Sequence, residues 1–555
     1  MKIKRDKIFP FLPIVLSLVL VAGIVLGNWF CSLRVRTVVS KEFNKQHFSI
    51  KPGINVGAGF SLNPKADKIT TALQYILNEY VDTVSIDKIN ESVLPALVEN
   101  LDPHSIYIPA EDFQKYNEPL TGNFSGIGVS FNMVDDTVAI INTIPNGPSE
   151  IVGILPGDRI IEVEDSTVAG VNMDSNDIVN MLKGEKGTIV RVKIVRWGVK
   201  EPLTFEITRG DIPIYSIDAA YMITDHIGYI KITQFAQTTF KEFMEAVEKL
   251  KAQGEKKLIL DLRDNGGGIM ETAIQISDQF LEEGQLIVYT EGKTRPRNNN
   301  YATSRGVLKN DAVVVLINEG TASASEIVAG ALQDNDRGII IGRRSFGKGL
   351  VQEQMQFKDG SALRLTVARY FTPTGRSIQK PYNNGREEYY HDLSLRLFRG
   401  ELETRDSIQF SDSLRYVTPG GKIVYGGGGI MPDIFVPFDT TGITPYYTRV
   451  RSTGLIYRFA FFYTDLHRSE LEKLKSPEQI ASYLDNENIL SDFVEFARSR
   501  DIEPDYAEIN ESKLVIETMI KAYIARNIID NEGFYPIISA IDNTLKMAID
   551  TLSAF

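Results

Sequence analysis

The sequence has little cysteine: Cys31 is the only one among 555 residues. A single cysteine cannot form an intramolecular disulfide bond or supply the thiolate cluster of a zinc site. Basic clusters are absent beyond the extreme N-terminus and the net charge is −12, which argues against nucleic-acid binding because phosphates require grouped Lys and Arg. Low-complexity tracts and short repeats are also lacking, so the sequence predicts several ordinary globular domains.

The longest uncharged, mostly apolar stretch covers residues 8–33. The basic residues before it are Lys2, Lys4, Arg5 and Lys7. A helix of this length can cross a bilayer, and the basic flank is expected to stay on the cytoplasmic side. Residues 1–35 are therefore interpreted as an uncleaved signal anchor, with the rest of the chain outside the cytoplasm, in the periplasm of a bacterial envelope. A cleaved signal peptide is the competing interpretation.

The remaining chain divides by sequence pattern into four regions. Helical spacing predicts an N-terminal helical region over residues 36–117. Short β-rich segments between Gly, Pro and Asn turns predict a small β domain over residues 118–210. Strands alternate with helices over residues 211–440, which predicts an α/β core. Residues 441–555 are predicted to form a mainly helical extension, with its helices starting near residue 477.

Ser323 lies between a predicted strand, residues 312–317, and a predicted helix, residues 324–333. A strand-to-helix turn exposes a nucleophile and places it beside the free N–H groups of the helix start, which can stabilise an oxyanion. The alternative is a serine that only caps the helix.

A serine nucleophile needs a base, and no histidine lies near Ser323 in the sequence. The five histidines are His47, His104, His226, His391 and His467. Lys348 follows the next predicted strand, residues 338–341, in a glycine turn that can return it toward Ser323. A lysine is a base only when neutral, so burial must bring its pKa down from about 10.4. A solvated surface lysine is the alternative.

The same turn also matches the start of a phosphate-binding loop at Gly342, Gly347 and Lys348. Gly349 stands where that loop requires Ser or Thr. The following residues, 350–357, alternate like a strand and do not open a helix. Nucleotide binding is therefore disfavoured.

Two motifs are specific in combination: residues 320–327 read Gly-Thr-Ala-Ser-Ala-Ser-Glu-Ile, and residues 346–349 read Phe-Gly-Lys-Gly. Together they resemble the C-terminal processing, or tail-specific, peptidases, a bacterial family with a PDZ domain. The resemblance implies that Ser323 is the nucleophile and that Lys348, 25 positions later, is the base. Thr321 differs from the usual first serine of the run, which is neither nucleophile nor base.

The resemblance also assigns supporting roles within this site. It implies that Gln352 orients the lysine ammonium group by hydrogen bonding and that Asp334 supports the site without transferring protons. It further implies an oxyanion hole made by the N–H groups of Ala324 and Gly268, the latter in a glycine loop over residues 263–268. No metal and no organic cofactor is implied.

The β domain resembles a PDZ module in two segments, residues 125–129 and 155–160. Successive backbone N–H groups before an exposed strand edge can capture a terminal carboxylate while the peptide adds as a strand. The residues implied in peptide binding are Gly126, Ile127, Gly128 and Val129. A spacer or an internal lid is the alternative role.

The expected fold class is α/β: a crotonase-like (ClpP/crotonase) peptidase core with an inserted PDZ domain, an N-terminal transmembrane helix and a helical C-terminal extension. The expected function is a serine endopeptidase that cleaves proteins near their C-terminal tails outside the cytoplasm. The alternatives are a PDZ scaffold without activity and a protease that a partner must activate. Expected partners are protein substrates with free C-terminal tails and the membrane, with an adaptor and a homo-oligomer left open.

Overall fold

The computed structural model describes residues 67–409 and 411–554. The chain divides into two compact units, residues 1–85 and 86–555. The first unit contributes one described helix, α1 (Asp67–Glu79). The anchor predicted over residues 1–35 lies outside the described residues. Within the described ranges, no helix is long and apolar enough to cross a membrane.

The second unit opens with short elements that lead into the β domain. These are α2 (Ile86–Glu99), β1 (Ile106–Ile108) and α3 (Phe113–Thr121). Strand β2 (Asn123–Gly126) enters the β domain and β9 (Gly210–Pro213) leaves it, and the two pair antiparallel. Because this pair brings entry and exit together, the β domain is an insertion in the surrounding fold.

The β domain is a sheet with strand order β3-β4-β5-β7-β8, in which β6 pairs with β5. Its elements are β3 (Val129–Val134), β4 (Thr137–Thr143), α4 (Pro148–Ile151), β5 (Arg159–Val163), β6 (Ser166–Thr167), α5 (Ser175–Leu182), β7 (Ile189–Val195) and β8 (Leu203–Thr208). Alternate residues of β7, Val190, Val192 and Ile194, are fully buried, as a strand with one solvated face requires. Strand β3 lies at the edge of this sheet.

A second, mostly parallel sheet forms the core, in the order β10-β11-β12-β15-β16-β21. Its strands are β10 (Ile217–Met222), β11 (Ile227–Ile232), β12 (Lys257–Asp261), β15 (Ala312–Ile317), β16 (Ile339–Gly342) and β21 (Ile434–Phe435). Only β10 runs antiparallel to its neighbour within this described sheet. Strand β15 is an unbroken apolar run because both faces of the sheet are covered. The α/β class is confirmed.

The two faces of the core sheet are covered by different parts of the chain. Helices α6 (Thr239–Ala252), α7 (Met270–Asp278) and α8 (Ala324–Asp334) cover one face, where Val315 packs with Phe243 and Ile327. The opposite face, which carries Val314, packs against Leu545 near the C-terminus. The core therefore needs residues from the C-terminal extension to be complete.

A third, antiparallel sheet lies beside the core, with β18 paired to β1, β13 and β17. The remaining elements of this region are β13 (Leu286–Glu291), β14 (Asn298–Tyr301), β17 (Leu350–Gln356), β18 (Ala362–Phe371), α9 (Arg386–Phe398), β19 (Arg415–Val417) and β20 (Ile423–Tyr425). Strand β17 confirms that a strand, and not the helix of a phosphate loop, follows Lys348. Helix α9 was not predicted.

The C-terminal extension is helical from residue 445 onward, earlier than the start predicted near residue 477. Its helices are α10 (Pro445–Ser452), α11 (Leu455–Leu471), α12 (Pro477–Asp485), α13 (Ile489–Arg498), α14 (Tyr506–Ile529), α15 (Asn531–Ile538) and α16 (Asn543–Ser553). The first begins with proline after Thr444, whose side chain accepts a hydrogen bond from the Tyr447 N–H. Helices α10 to α14 bury a core of their own, and α16 packs on the peptidase sheet.

The extension also touches the β domain through charged side chains. Arg159 Nη2 on β5 lies 2.6 Å from Asp465 Oδ2 on α11. Asp135, in the turn between β3 and β4, is paired with Arg458 and lies 3.7 Å from Arg500 Nη2. We call these contacts the charged seam. They link the β domain to the extension, whereas the β2–β9 pair joins the β domain to the surrounding fold.

Candidate active site

Ser323 occupies the sharp turn between β15 and α8, where the sequence placed it. Its backbone angles are φ 57° and ψ −115°, a region that non-glycine residues rarely occupy. Such a conformation costs about 1–3 kcal/mol and is typical of functional turns. Ser323 is partly exposed, whereas every residue of α8 is buried. The turn therefore presents the hydroxyl-bearing residue at the surface of an otherwise buried helix start.

Lys348 lies in the loop between β16 and β17 and lines the same cavity as Ser323, of about 540 Å³. Burial lowers the pKa of Lys348, and the positive charge of Arg364 lowers it further, whereas Glu326 and Asp102 oppose the shift. Among the described residues, no side chain forms a hydrogen bond or an ion pair with its ammonium nitrogen. The lysine therefore reaches the cavity in surroundings that favour its neutral form.

The glycine loop after β12 packs closely against the serine turn. A Cβ atom on Gly267, which has φ 98°, would lie 2.7 Å from Ser323 Cβ and 2.8 Å from the Ala324 nitrogen. The Gly267 N–H donates to Asn265 Oδ1 at 2.9 Å. Among the described residues, the N–H groups of Gly268 and Ala324 donate to no protein acceptor. Both groups are thus free to donate to a substrate oxygen in the cavity.

Hydrogen bonds hold the glycine loop and the serine turn together. The carbonyl oxygen of Asn265 accepts from the Ala322 N–H at 2.9 Å and from Ser325 Oγ at 3.0 Å. Thr321 Oγ1 donates to the carbonyl oxygen of Leu262 at 2.8 Å. These bonds fix the distance between the two loops whose N–H groups were expected to form the oxyanion hole.

Gln352 and Asp334 lie in different places relative to the cavity. Gln352 lines it from β17, and its Nε2 lies 3.4 Å from Thr366 Oγ1. Asp334 is at the far end of α8, about 16 Å along the helix from Ser323 at about 1.5 Å per residue. There it pairs with the fully buried Arg376, Oδ1 to Nη2 2.7 Å. Asp334 therefore fixes the far end of α8 and does not line the cavity that holds Ser323 and Lys348.

Asp102 is a contributor to this site that the sequence did not reveal. Its carboxylate accepts from Ser105 Oγ at 2.5 Å and from Thr366 Oγ1 at 3.1 Å. Thr366 in turn accepts from Gln352. Burial raises the pKa of Asp102, but hydrogen bonds from Ser105, His104 and Thr366 outweigh burial and lower it. A chain of polar groups thus runs from a buried carboxylate to Gln352.

Glu326 and Tyr370 connect the serine and lysine segments directly. Glu326 Oε2 accepts from the backbone N–H groups of Ser323 and Lys348, each at 2.8 Å. Tyr370 Oη lies 3.0 Å from the carbonyl oxygen of Ser323 and 2.6 Å from that of Lys348. The Ser-x-x-Glu spacing of a capping box could have indicated Glu326. No local signal indicates Tyr370, which comes from β18.

The residues implied in peptide binding lie where the β domain begins. Gly126 ends β2, Gly128 has φ 73°, and Val129 begins the edge strand β3. The carbonyl oxygen of Ile127 accepts from the N–H and the hydroxyl of Ser149, so the turn is tied to α4. Among the described residues, the N–H groups of Ile127 and Gly128 donate to no protein acceptor. They lie beside a strand edge that could accept another strand.

Comparison with known proteins gives three family matches along the chain. The family model "Peptidase family S41" matches residues 226–384, and a PDZ-domain model matches residues 125–208. A family of unknown function, DUF8443, matches residues 446–530 in the extension.

Related proteins align over a longer part of the chain than the peptidase family model does. The carboxy-terminal processing protease CtpA of Bacillus subtilis is 37% identical over 318 residues, which are 57% of this chain and 67% of the relative. The carboxy-terminal-processing protease of Bartonella bacilliformis is 36% identical over 309 residues, 55% of this chain and 70% of the relative. The solved photosystem II D1 C-terminal processing protease is 24% identical, with a TM-score of 0.36 over 66% of this chain and 86% of that one.

The α/β core with its inserted PDZ domain thus defines a serine-type peptidase of family S41. Within that class, the chain belongs to the carboxy-terminal processing proteases.

Proposed function

We propose that this peptidase cleaves proteins near their C-terminal tails with a Ser323–Lys348 dyad. The observation that carries the proposal is the cavity that Ser323 shares with Lys348. The cavity is lined by a serine in a strained turn and by a lysine whose pKa is lowered by burial. A serine with an adjacent neutral base is the arrangement required for nucleophilic attack on a peptide carbonyl.

Each step of the reaction has a candidate group in this cavity. Neutral Lys348 takes the proton of Ser323 Oγ as that oxygen attacks the scissile carbonyl. The negative charge that develops on the carbonyl oxygen is stabilised by the N–H groups of Ala324 and Gly268. Lys348 then protonates the leaving amine, and water hydrolyses the acyl-enzyme with Lys348 again as the base. Gln352, which lines the same cavity, is assigned to orient the lysine during the reaction; in this structure its side-chain amide lies against Thr366 and makes no hydrogen bond to Lys348 among the described residues.

Selection of substrate is assigned to the PDZ domain. The N–H groups of residues 126–129 bind the terminal carboxylate, and the tail pairs with the free edge of β3. The proposed substrates are therefore proteins with free C-terminal tails, which the PDZ-domain match supports. We further propose that residues 1–35 anchor the chain in the inner membrane and that the catalytic domains lie in the periplasm. Fusing a periplasm-dependent reporter enzyme to the C-terminus tests this placement, since the reporter stays inactive if the domains are cytoplasmic.

The decisive experiment is cleavage of an unfolded protein with an apolar, free C-terminal tail. The purified protein is compared with Ser323→Ala and Lys348→Ala, and we expect both variants to lose activity by about 10⁴-fold or more. Equal activity of all three proteins would show that the dyad is wrong. Inactivity of all three combined with intact tail binding would favour the non-catalytic scaffold or a missing activating partner.

The pH dependence provides a second test of the base. Because Lys348 acts in its neutral form, the cleavage rate should rise with pH through the pKa of Lys348. Burial and Arg364 lower that pKa below its usual value of 10.5, so the rise should be complete at a lower pH than for an exposed lysine. A rate that is independent of pH on the acid side would contradict the assignment.

A further inference from the structure

The junction between the nucleophile and the base is built around one buried carboxylate. Glu326 is fully buried, and its Oε2 is shared by the backbone N–H groups of Ser323 and Lys348. Since both bonds are 2.8 Å, the two backbone nitrogens can be no farther apart than twice that distance. The second oxygen, Oε1, accepts from Ser345 Oγ at 2.5 Å and from the Gly347 N–H at 2.8 Å. All four donors belong to the serine turn or to the lysine loop.

Tyr370 contacts the same two segments through their carbonyl oxygens, whereas Glu326 contacts them through their N–H groups. Its hydroxyl lies within hydrogen-bond distance of the carbonyl oxygens of the same two residues. Tyr370 is buried, at 1% exposure, and stands on β18, outside the motifs that carry the nucleophile and base. The N–H groups of both residues thus donate to Glu326, and both carbonyl oxygens lie within reach of the single hydroxyl hydrogen of Tyr370.

We propose that Glu326 and Tyr370 form a positioning pair that sets the distance and orientation of Ser323 relative to Lys348. Neither side chain is assigned contact with the substrate. The pair fixes two backbones, one of them in a strained conformation, that are 25 positions apart in the sequence. This inference rests on the proposed Ser–Lys function.

The charge of Glu326 gives the pair a second effect, on the base itself. The charged groups that act on Lys348 are Glu326 on α8, Arg364 on β18 and Asp102 before β1, and Lys348 in turn acts on His104. Burial, together with the charge of Lys348, lowers the pKa of His104 to about 4, so this ring is neutral near pH 7. Glu326 and Asp102 raise the pKa of Lys348, whereas Arg364 lowers it. Removing the negative charge at Glu326 should therefore lower the pKa of Lys348.

The test is Glu326→Gln, measured with a fluorogenic peptide that ends in a free carboxylate. All four groups that contact the Glu326 carboxylate are hydrogen-bond donors, so the NH₂ group of glutamine would face a donor and break at least one of these bonds. We therefore expect kcat to fall about 10- to 100-fold while KM changes less than threefold. The acid limb of the pH profile should move to lower pH. Arg364→Gln should move the same limb to higher pH, and Glu271→Gln, at an exposed position of α7, should change neither quantity.

Tyr370→Phe keeps the ring and removes only the hydroxyl, so it tests the pair if Glu326→Gln does not fold. We expect a tenfold loss of kcat with unchanged tail binding by the PDZ domain. The proposal is wrong if Ser323→Ala is inactive but a folded Glu326→Gln or Tyr370→Phe variant keeps wild-type kcat and an unshifted acid limb. Activity retained by Ser323→Ala would instead overturn the dyad and the positioning pair together.

Discussion

The proposed catalytic centre around Ser323 and Lys348 and the charged seam both join segments that are distant in the sequence, but they are built from different interactions. At the catalytic centre, a buried carboxylate and a buried hydroxyl hold two backbones through hydrogen bonds. At the seam, Arg159 is 31% exposed and Asp135 is 58% exposed, so water and salt weaken the attraction of their partners. The comparison indicates a rigid reaction centre beside a PDZ domain whose contact with the extension is adjustable.

The largest expected effect concerns the far end of α8. Asp334→Ala leaves Arg376 fully buried without its carboxylate partner, and removing one member of a buried ion pair costs about 3–5 kcal/mol. Urea denaturation should show this loss in the free energy of unfolding. The matched control, Asp412→Ala at an exposed position, should stay within about 0.5 kcal/mol. Equal losses would mean that the core is no more rigid than the surface.

A slightly smaller effect is expected at the glycine loop. Gly267→Ala places a methyl group against Ser323 and the Ala324 nitrogen in a conformation unfavourable for alanine. Disturbing the oxyanion site should lower kcat by about 10²- to 10³-fold. Gly266→Ala is the control, because a Cβ atom there meets nothing within 4 Å, and it should lose only a few-fold. Similar kinetics for the two variants would remove the glycine loop from the rigid centre.

The strain at the nucleophile should be measurable as stability. Both Ser323→Gly and Ser323→Ala lack the hydroxyl, but only glycine adopts a positive φ without strain, so the glycine variant should be more stable by about 1 kcal/mol. At Ser394, exposed within α9, the order should reverse, because glycine is about 1 kcal/mol less favourable than alanine in a helix. Thermal unfolding compares the four variants. If the alanine variant were the more stable one at both sites, Ser323 would be unstrained.

The smallest effect is expected at the charged seam. A double-mutant cycle with Arg159→Ala and Asp465→Ala should give a coupling energy of about 0.2–1 kcal/mol, reduced at high salt. Urea denaturation of the wild type, the two single variants and the double variant provides the four values. A coupling of 3 kcal/mol that does not respond to salt would make the seam as rigid as the catalytic centre.

Much of the local structure follows from the sequence. Strand β15 and the turn at Ser323 were predicted because burial on both faces of a sheet leaves an unbroken apolar run. Helix α9 and the start of α10 were missed because polar and aromatic residues interrupt their apolar spacing. The crotonase-like relationship and the roles of the site residues, including Ser323 and Lys348, remain predictions.

The sequence by itself determined the class of protein, because its two motifs are specific in combination, and it singled out the residues proposed as nucleophile and base. Only the tertiary structure decided which residues hold these groups in position. Tyr370 reaches the site through strand pairing, and α16 covers one face of the core sheet. Such contacts depend on how distant segments pack, and a buried side chain carries no local mark of the partner that it will meet.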